Sequence, residues 1–117
     1  MTTPLLLVLT GTSSRDEAQA IADAAIAQRL AAAAQVIGPV ASTYRWKGQI
    51  THAEEWLCLL KTSRAHYDAL EQTIRALHSY KLPGILAIPI ADGSEPYLAW
   101  IAQTLQQDEP ATEDPIG

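Results

Sequence analysis

This sequence has almost no cysteine, no phenylalanine and no excess of positive charge. Cys58 is the only cysteine among 117 residues. A single cysteine excludes an internal disulfide and any metal cluster that needs several thiolates. Because lysine and arginine together number 8 against 13 acidic residues, no basic stripe is available to neutralise phosphates. The composition therefore argues against nucleic acid as a partner.

Long hydrophobic runs are missing as well. The apolar stretch from Leu5 to Leu9 is far too short to span a bilayer, and it follows no basic-then-apolar leader with a small-residue cleavage site. We therefore expect no membrane association and a cytoplasmic location. A chain of 117 residues has room for one domain. We assign this domain to residues 1–107 and expect the acidic tail, residues 108–117, to be disordered.

Apolar strands alternate with helical patterns in the order β-α-β-β-α-β, and one more helix follows. Ser14 with Glu17 predicts a helix start, with the helix running from about Arg15 to Arg29. The pair Gly38-Pro39 predicts a bulge in the second strand. The second helix carries apolar residues at helical spacing, at Tyr67, Leu70, Ile74 and Leu77. The order predicts an α+β protein, a ferredoxin-like βαββαβ sandwich with an extra C-terminal helix.

The sequence predicts a long hairpin from about Val40 to Lys61, around which the rest of the chain is organised. Its corner is Lys47-Gly48, where glycine accepts the positive φ that a two-residue turn demands. Residues at both even and odd positions of the second arm are apolar: Trp56, Cys58 and Leu60, and Leu57 and Leu59. Successive strand residues point to opposite faces, so both faces need cover. No helix remains for the second face, and we therefore expect self-association through the sheet.

Several short motifs, in order and at consistent spacing, resemble the CutA family over roughly residues 5 to 105. They are Tyr44-Arg45-Trp46-Lys47-Gly48, Glu55, Leu60-Lys61-Thr62, Leu77-His78-Ser79-Tyr80 with Pro83, Ile88-Pro89-Ile90 and Tyr97-Leu98-Ala99-Trp100-Ile101. The resemblance implies a ferredoxin-like protomer in a homotrimer, similar in architecture to the PII signalling proteins. It also implies a link to tolerance of divalent cations, copper especially, without catalytic activity. No nucleophile–base arrangement or glycine-rich phosphate loop is visible, which also argues against an enzyme.

The resemblance implies a metal site that this sequence retains only in part. Many members of the family carry a cysteine where Ala33 stands here, and a glutamate where Lys81 stands. His78 is the one residue left of those proposed in the family to hold copper, and a single imidazole is a poor copper site. We expect weak or absent binding of Cu²⁺ or another divalent cation at His78. The alternative is that His78, where a helix ends, caps the last carbonyls.

Lys61 closes a strand that is apolar on both faces, so it must reach solvent, form a pair or bind a ligand. One interpretation is a PII-like sensor that binds a small anion in a cleft between subunits. The residues expected to line that cleft are Tyr44, Trp46, Lys47, Glu55, Lys61 and Tyr80. The other interpretation is an inter-subunit ion pair between Lys61 and Glu55. For Cys58 the pattern favours a packed thiol over a nucleophile.

Overall fold

Across residues 4–106, one antiparallel sheet of four strands carries three α-helices. In the computed structural model, which describes residues 4–106, the elements are β1 (Leu5–Thr12), α1 (Arg15–Ala27), β2 (Ala33–Trp46), β3 (Gln49–Ser63), α2 (Tyr67–Leu77), β4 (Ile85–Pro89) and α3 (Glu95–Gln106). The strands lie in the order β2-β3-β1-β4. This confirms the predicted α+β, ferredoxin-like βαββαβ fold with its extra helix. The predicted disordered tail, residues 108–117, lies outside the described residues.

Helix α1 begins where the capping pattern predicts but ends earlier than predicted. Ser14 Oγ accepts a hydrogen bond from Glu17 N–H at 3.1 Å, which makes Ser14 the N-cap. The predicted end at Arg29 is wrong because Arg29 adopts a left-handed φ of 57°. Leu30 N–H then bonds back to Ala25 O at 2.9 Å. These contacts close the helix as a Schellman motif does and direct the chain into β2.

The helices α1 and α2 cover one face of the sheet. The even-numbered side chains of β1 and β3 point toward these helices. The buried core between the sheet and the helices consists of Leu6, Val8, Cys58 and Leu60 from the strands, Ala18, Ile21, Ala22 and Ala25 from α1, and Leu70 and Ile74 from α2. Leu77, the last member of the apolar series predicted for α2, is 42% exposed in the single chain. Leu77 is the last residue of α2, where the chain leaves the sheet.

The strands β2 and β3 form the predicted long hairpin, with 14 and 15 residues in its arms. The turn consists of Lys47 and Gly48, between the paired residues Trp46 and Gln49. Lys47 has a φ of 50° and Gly48 a φ of 77°. Positive φ at both central residues is typical of a type I′ turn, whose twist matches that of the two strands.

The predicted bulge is present in β2, and it exchanges the faces of the strand. Ile37 pairs with Leu57 and Val40 pairs with Glu55, so three steps along β2 match two along β3. Because side chains alternate, even-numbered residues of β2 point toward the helices before the bulge and away from them after it. Tyr44 and Trp46 therefore lie on the same face as Glu55.

The face of the sheet opposite α1 and α2 is apolar and largely uncovered. We call it the open face, and its central side chains are Leu7, Leu9, Ile37, Leu57, Leu59, Leu86 and Ile88. Within residues 4–106, only one end of this face is covered, where Ile101 and Leu105 of α3 pack against Leu5. Leu86 and Ile88 stay 61% and 45% exposed. None of the helices in the described part of the chain is long and apolar enough to cross a membrane.

Candidate functional site

A cavity of about 530 Å³ lies between the hairpin and the loop that follows α2. We call it the aromatic cleft, and it is lined by Gly11, Tyr44, Trp46, Glu55, Tyr80, Lys81, Leu82 and Gly84. Four of these residues, Tyr44, Trp46, Glu55 and Tyr80, were expected from the sequence to share a ligand site. The structure brings them together within one chain.

The bulge and a glycine together position the carboxylate of Glu55 in this cleft. The bulge places Glu55 on the same face as the two hairpin aromatics, Tyr44 and Trp46. On the neighbouring strand, Gly11 leaves room for the Glu55 side chain. A Cβ added to Gly11 would lie 3.4 Å from both carboxylate oxygens. The carboxylate therefore lies over a part of β1 that carries no side chain.

Tyr80 fixes the Glu55 carboxylate from the opposite wall. Its hydroxyl donates a hydrogen bond to Glu55 Oε2 at 2.9 Å. Burial, and after it the hydrogen bond to the Glu55 carboxylate, together raise the pKa of Tyr80 to about 12. Tyr80 is therefore neutral at physiological pH, and it presents a donor to the carboxylate and a ring to the cleft.

His78 lies behind this wall with both ring nitrogens engaged. Its side chain is buried, and Nε2 lies 2.8 Å from the carbonyl oxygen of Gly11. Tyr80 N–H approaches Nδ1 at 3.2 Å. The neutral tautomer with its proton on Nε2 satisfies both contacts, donating to Gly11 and accepting from Tyr80. Its own backbone N–H bonds to Ile74 O at 2.9 Å, so His78 also ends α2.

These contacts bear on the expected metal site. In the neutral tautomer neither nitrogen has a lone pair left for a metal ion, because Nε2 carries the proton and Nδ1 accepts from Tyr80. Among residues 4–106 there is no group of three or more His, Cys, Asp or Glu side chains placed to hold a metal. Ala33 supplies no ligand, and Lys81 adds a positive charge to the cleft wall. The residues present do not fit a copper centre at His78.

The structure separates Lys61 from the aromatic cleft. Lys61 Nζ donates to Tyr97 Oη at 2.9 Å and lies 5.1 Å from the centre of the Tyr97 ring. That ring stacks on Trp100 at a centroid distance of 5.6 Å. Together they line a second cavity of about 520 Å³ at the N-terminal end of α3. Tyr97 and Trp100 were not predicted as neighbours of Lys61, although their i, i+3 spacing signals a shared helix face.

Lys47 lies at neither cavity. It occupies the exposed hairpin tip, about 40 Å along β3 from Lys61 at the usual rise per strand residue. Within one chain these two lysines therefore cannot hold the same small ligand. Nor do Lys61 and Glu55 meet: Lys61 bonds Tyr97, and Glu55 bonds Tyr80. An ion pair between Lys61 and Glu55 of different copies stays a prediction.

Cys58 is packed in the core between the sheet and the helices, with no exposed surface. Burial raises the pKa of its thiol to about 11, because the apolar surroundings disfavour the thiolate. A thiol that stays protonated is neither a good nucleophile nor a good metal ligand. The geometry agrees with a packed thiol.

Comparison with known proteins gives one consistent family. The family model described as "CutA1 divalent ion tolerance protein" matches residues 6–104. The divalent-cation tolerance protein CutA of Thermus thermophilus is 37% identical over 97 residues, which cover 83% of this chain and 94% of that protein. The structure of CutA from Xylella fastidiosa has a TM-score of 0.85 at 31% identity, covering 89% of this chain and 100% of that one. CutA1 from a psychrotrophic Shewanella also has a TM-score of 0.85, at 33% identity, covering 92% and 100%.

The relatives correct the expected location. An Arabidopsis thaliana relative, 29% identical and covering 86% of this chain and 55% of that protein, is described as chloroplastic. A structure from Archaeoglobus fulgidus, with a TM-score of 0.83 at 31% identity and covering 87% and 99%, is described as periplasmic. The prediction of a cytoplasmic protein is therefore wrong. Proteins with this fold occur in several compartments, and the composition of the chain does not determine the compartment. The chain also spans only 50% of the length of the mouse and human relatives.

Proposed function

Because the chain belongs to the CutA family of divalent-cation tolerance proteins, we propose that it serves divalent-cation tolerance as a non-enzymatic homotrimer. Membership rests on the match over residues 6–104 and on a relative that is 37% identical over most of both chains. The matching family model and the Thermus thermophilus relative carry the names of tolerance proteins rather than of enzymes. In the proposed trimer each protomer buries its open face against other copies.

The open face is the observation that supports this assembly. Ile37, Leu86 and Ile88 are 49%, 61% and 45% exposed, although they belong to one continuous apolar surface. Antiparallel sheets that face water on one side normally carry polar residues there. Burying apolar surface contributes about 25 cal/mol per Å², so a surface of this kind strongly favours association. Three copies is the number that the resemblance to the CutA family implies.

Metal binding in this member is weak or absent. Both nitrogens of His78 are engaged within the chain, at Gly11 and Tyr80. Ala33 stands where the resemblance implies a cysteine in many members of the family, and Lys81 adds a positive charge to the wall of the neighbouring cleft. The contribution to cation tolerance is then not the capture of one ion per protomer at His78.

The assembly is tested by placing a charge on the open face. Ile88→Lys puts an ammonium group on this face, whereas Ile26→Lys makes the same change on the outer side of α1. The two isoleucines are equally exposed in the monomer, at 45% and 43%. Light scattering coupled to size exclusion, repeated on dilution, should give trimers for the unmodified chain and for Ile26→Lys. Ile88→Lys should give monomers or aggregates.

Two results contradict the assembly. A folded monomer of the unmodified chain at micromolar concentration means that the open face tolerates water. An Ile88→Lys trimer as resistant to dilution as the Ile26→Lys trimer means that the copies meet elsewhere.

A second candidate is a PII-like sensor that binds a small anion between subunits. The observation that favours it is the cavity around Lys61, which offers an ammonium group beside Tyr97 and Trp100. Inorganic phosphate and a nucleoside triphosphate are suitable probes, with Trp100 fluorescence as the readout. A saturable change that is lost in Lys61→Met and kept in Lys47→Met supports the sensor. No change with either anion, in a protein of native fluorescence, contradicts it.

A further inference from the structure

We propose that the aromatic cleft binds a small organic cation of the alkylammonium or guanidinium class. The cleft offers three aromatic rings and one carboxylate: Tyr44, Trp46, Tyr80 and Glu55. The negative faces of aromatic rings attract such cations, and a carboxylate adds full charge complementarity. A volume of about 530 Å³ suits a ligand of this size.

In the single chain, the aromatic residues are exposed to an extent that packing within that chain does not explain. Tyr44, Trp46 and Tyr80 are 44%, 49% and 36% exposed, whereas Tyr67 is largely covered and packs against the core. The three come from two separate segments, the β2 arm and the loop after α2, and meet around one cavity. Exposed aromatic rings around a cavity are typical of a ligand site.

The charge of the cleft selects among ligand classes. Among residues 4–106, the structure gives the Glu55 carboxylate one hydrogen-bond donor, Tyr80 Oη on Oε2, which leaves Oε1 for a ligand. An anion would lie against this carboxylate, and a neutral apolar ligand would shield it from water without pairing it. A bare divalent ion needs several oxygen or nitrogen ligands, and the cleft offers one carboxylate. An organic cation satisfies the carboxylate and the rings together.

Lys81 is the opposing charge in this cleft, since it contributes to the same wall. Its ammonium group lowers the local attraction for cations. The two charges of the cleft should therefore have opposite effects on the affinity for a cation. Removing the charge of Lys81 should strengthen binding of a cation, and removing the charge of Glu55 should weaken it. An anion site would show the reverse of both effects.

The inference rests on the proposed function in one respect. The side chains of Tyr44, Trp46 and Glu55 belong to the face that the proposed trimer buries in part, so the cleft must stay open in the assembled protein. They lie beyond the bulge, toward the hairpin tip, whereas the apolar centre of the open face lies on the other side of it. The experiment therefore measures binding and assembly on the same samples.

The probe is choline chloride, titrated into the full chain by calorimetry at constant ionic strength. Its neutral isostere, in which carbon replaces the quaternary nitrogen, reports the apolar contribution alone. We expect saturable choline binding and at least about tenfold weaker binding of the isostere, since cation–π and charge contributions of this size are usual. Trp46→Leu and Glu55→Gln should each weaken choline binding about tenfold. Lys81→Gln should strengthen it about threefold.

Glu54→Gln is the matched control for Glu55→Gln. Glu54 is the preceding residue of β3, pairs with Ala41 and points to the opposite face. Glu54→Gln therefore removes the same charge outside the cleft. Choline affinity in Glu54→Gln should equal that of the unmodified protein. An equal loss in Glu54→Gln and Glu55→Gln overturns the assignment to this cleft, and so does equal affinity for choline and its isostere.

Light scattering on the same samples separates the two proposals. A folded trimer that does not bind choline overturns the cation site and leaves the assembly standing. A monomer that binds choline with the expected variant pattern supports the cation site and overturns the assembly.

Discussion

Replacing Gly38 with alanine tests the bulge that builds the aromatic cleft. A Cβ at Gly38 would lie 2.5 Å from Cδ1, 2.7 Å from Cγ and 3.0 Å from Cα of Trp56. Carbon atoms in contact prefer about 3.5–4.0 Å, so the added methyl group overlaps its neighbours by about 1 Å. Trp56 cannot easily move away, because its Cα belongs to the backbone of β3 and its ring packs against the core.

The size of the effect follows from this overlap. Forcing an extra methyl group into a packed site costs about 1–3 kcal/mol, and we expect about 2 kcal/mol for Gly38→Ala. For a domain of this length, each kcal/mol shifts the melting temperature by about 4 °C, so we expect a decrease of about 8 °C. The control is Gly84→Ala, where an added Cβ meets no atom within 4 Å. It should change stability by no more than a few tenths to 1 kcal/mol.

The assay is thermal unfolding followed by circular dichroism at one fixed protomer concentration, because association adds to the apparent stability. Choline titration below the melting temperature gives a second readout. A shifted bulge moves Tyr44 and Trp46 relative to Glu55, so Gly38→Ala should also weaken binding. If Gly38→Ala and Gly84→Ala melt within about 1 °C of each other, the contact between Gly38 and Trp56 is looser than the structure shows. That result would refute the steric overlap as a cause of instability.

Two further predictions concern buried groups. Burial raises the pKa of Cys58 to about 11, so above the ordinary thiol pKa the unfolded chain loses this proton first. Between about pH 9 and 11 the thiol should thus lower the free energy of unfolding by up to about 1.4 kcal/mol per pH unit. Denaturant titrations of the unmodified chain and Cys58→Ala measure this as a difference in slope, and equal slopes contradict it. For His78, we expect copper titration of chelator-stripped protein to show no saturable site that depends on this residue. The titration of His78→Ala should therefore look the same as that of the unmodified chain. That variant should instead lose about 1–3 kcal/mol of stability, because Gly11 O and Tyr80 N–H lose their partner. A saturable copper site that disappears in His78→Ala would restore the metal role.

Much of the fold follows from local patterns in the sequence. The pair Lys47-Gly48 predicts the turn, Gly38-Pro39 predicts the bulge, and Ser14 with Glu17 predicts the start of α1. Each of these features depends on the chemistry of a few adjacent residues, which is why sequence alone is sufficient. The open face was predictable for the same reason, since Leu57 and Leu59 alternate with core residues along one strand.

The candidate site was predictable only in part. Tyr44, Trp46, Glu55 and Tyr80 share a cavity within one chain, whereas the predicted cleft lay between subunits, and Lys61 and Lys47 lie elsewhere. The strand register decides this separation, because the rise along β3 places the two lysines at opposite ends of the hairpin. The location also escaped prediction, since the same fold serves proteins of several compartments.

By itself, the sequence determined the order of elements, the turn, the bulge and a second apolar face that needs cover. Only the tertiary structure decided what the functional groups touch. His78 meets Gly11 across 67 residues of chain, and Lys61 meets Tyr97 across 36. Such contacts depend on how helices pack against strands distant in sequence, and no local pattern encodes that geometry. The bulge shows both levels at once: two residues predict it, but only the pairing of β2 with β3 shows that it places two aromatic rings beside a carboxylate.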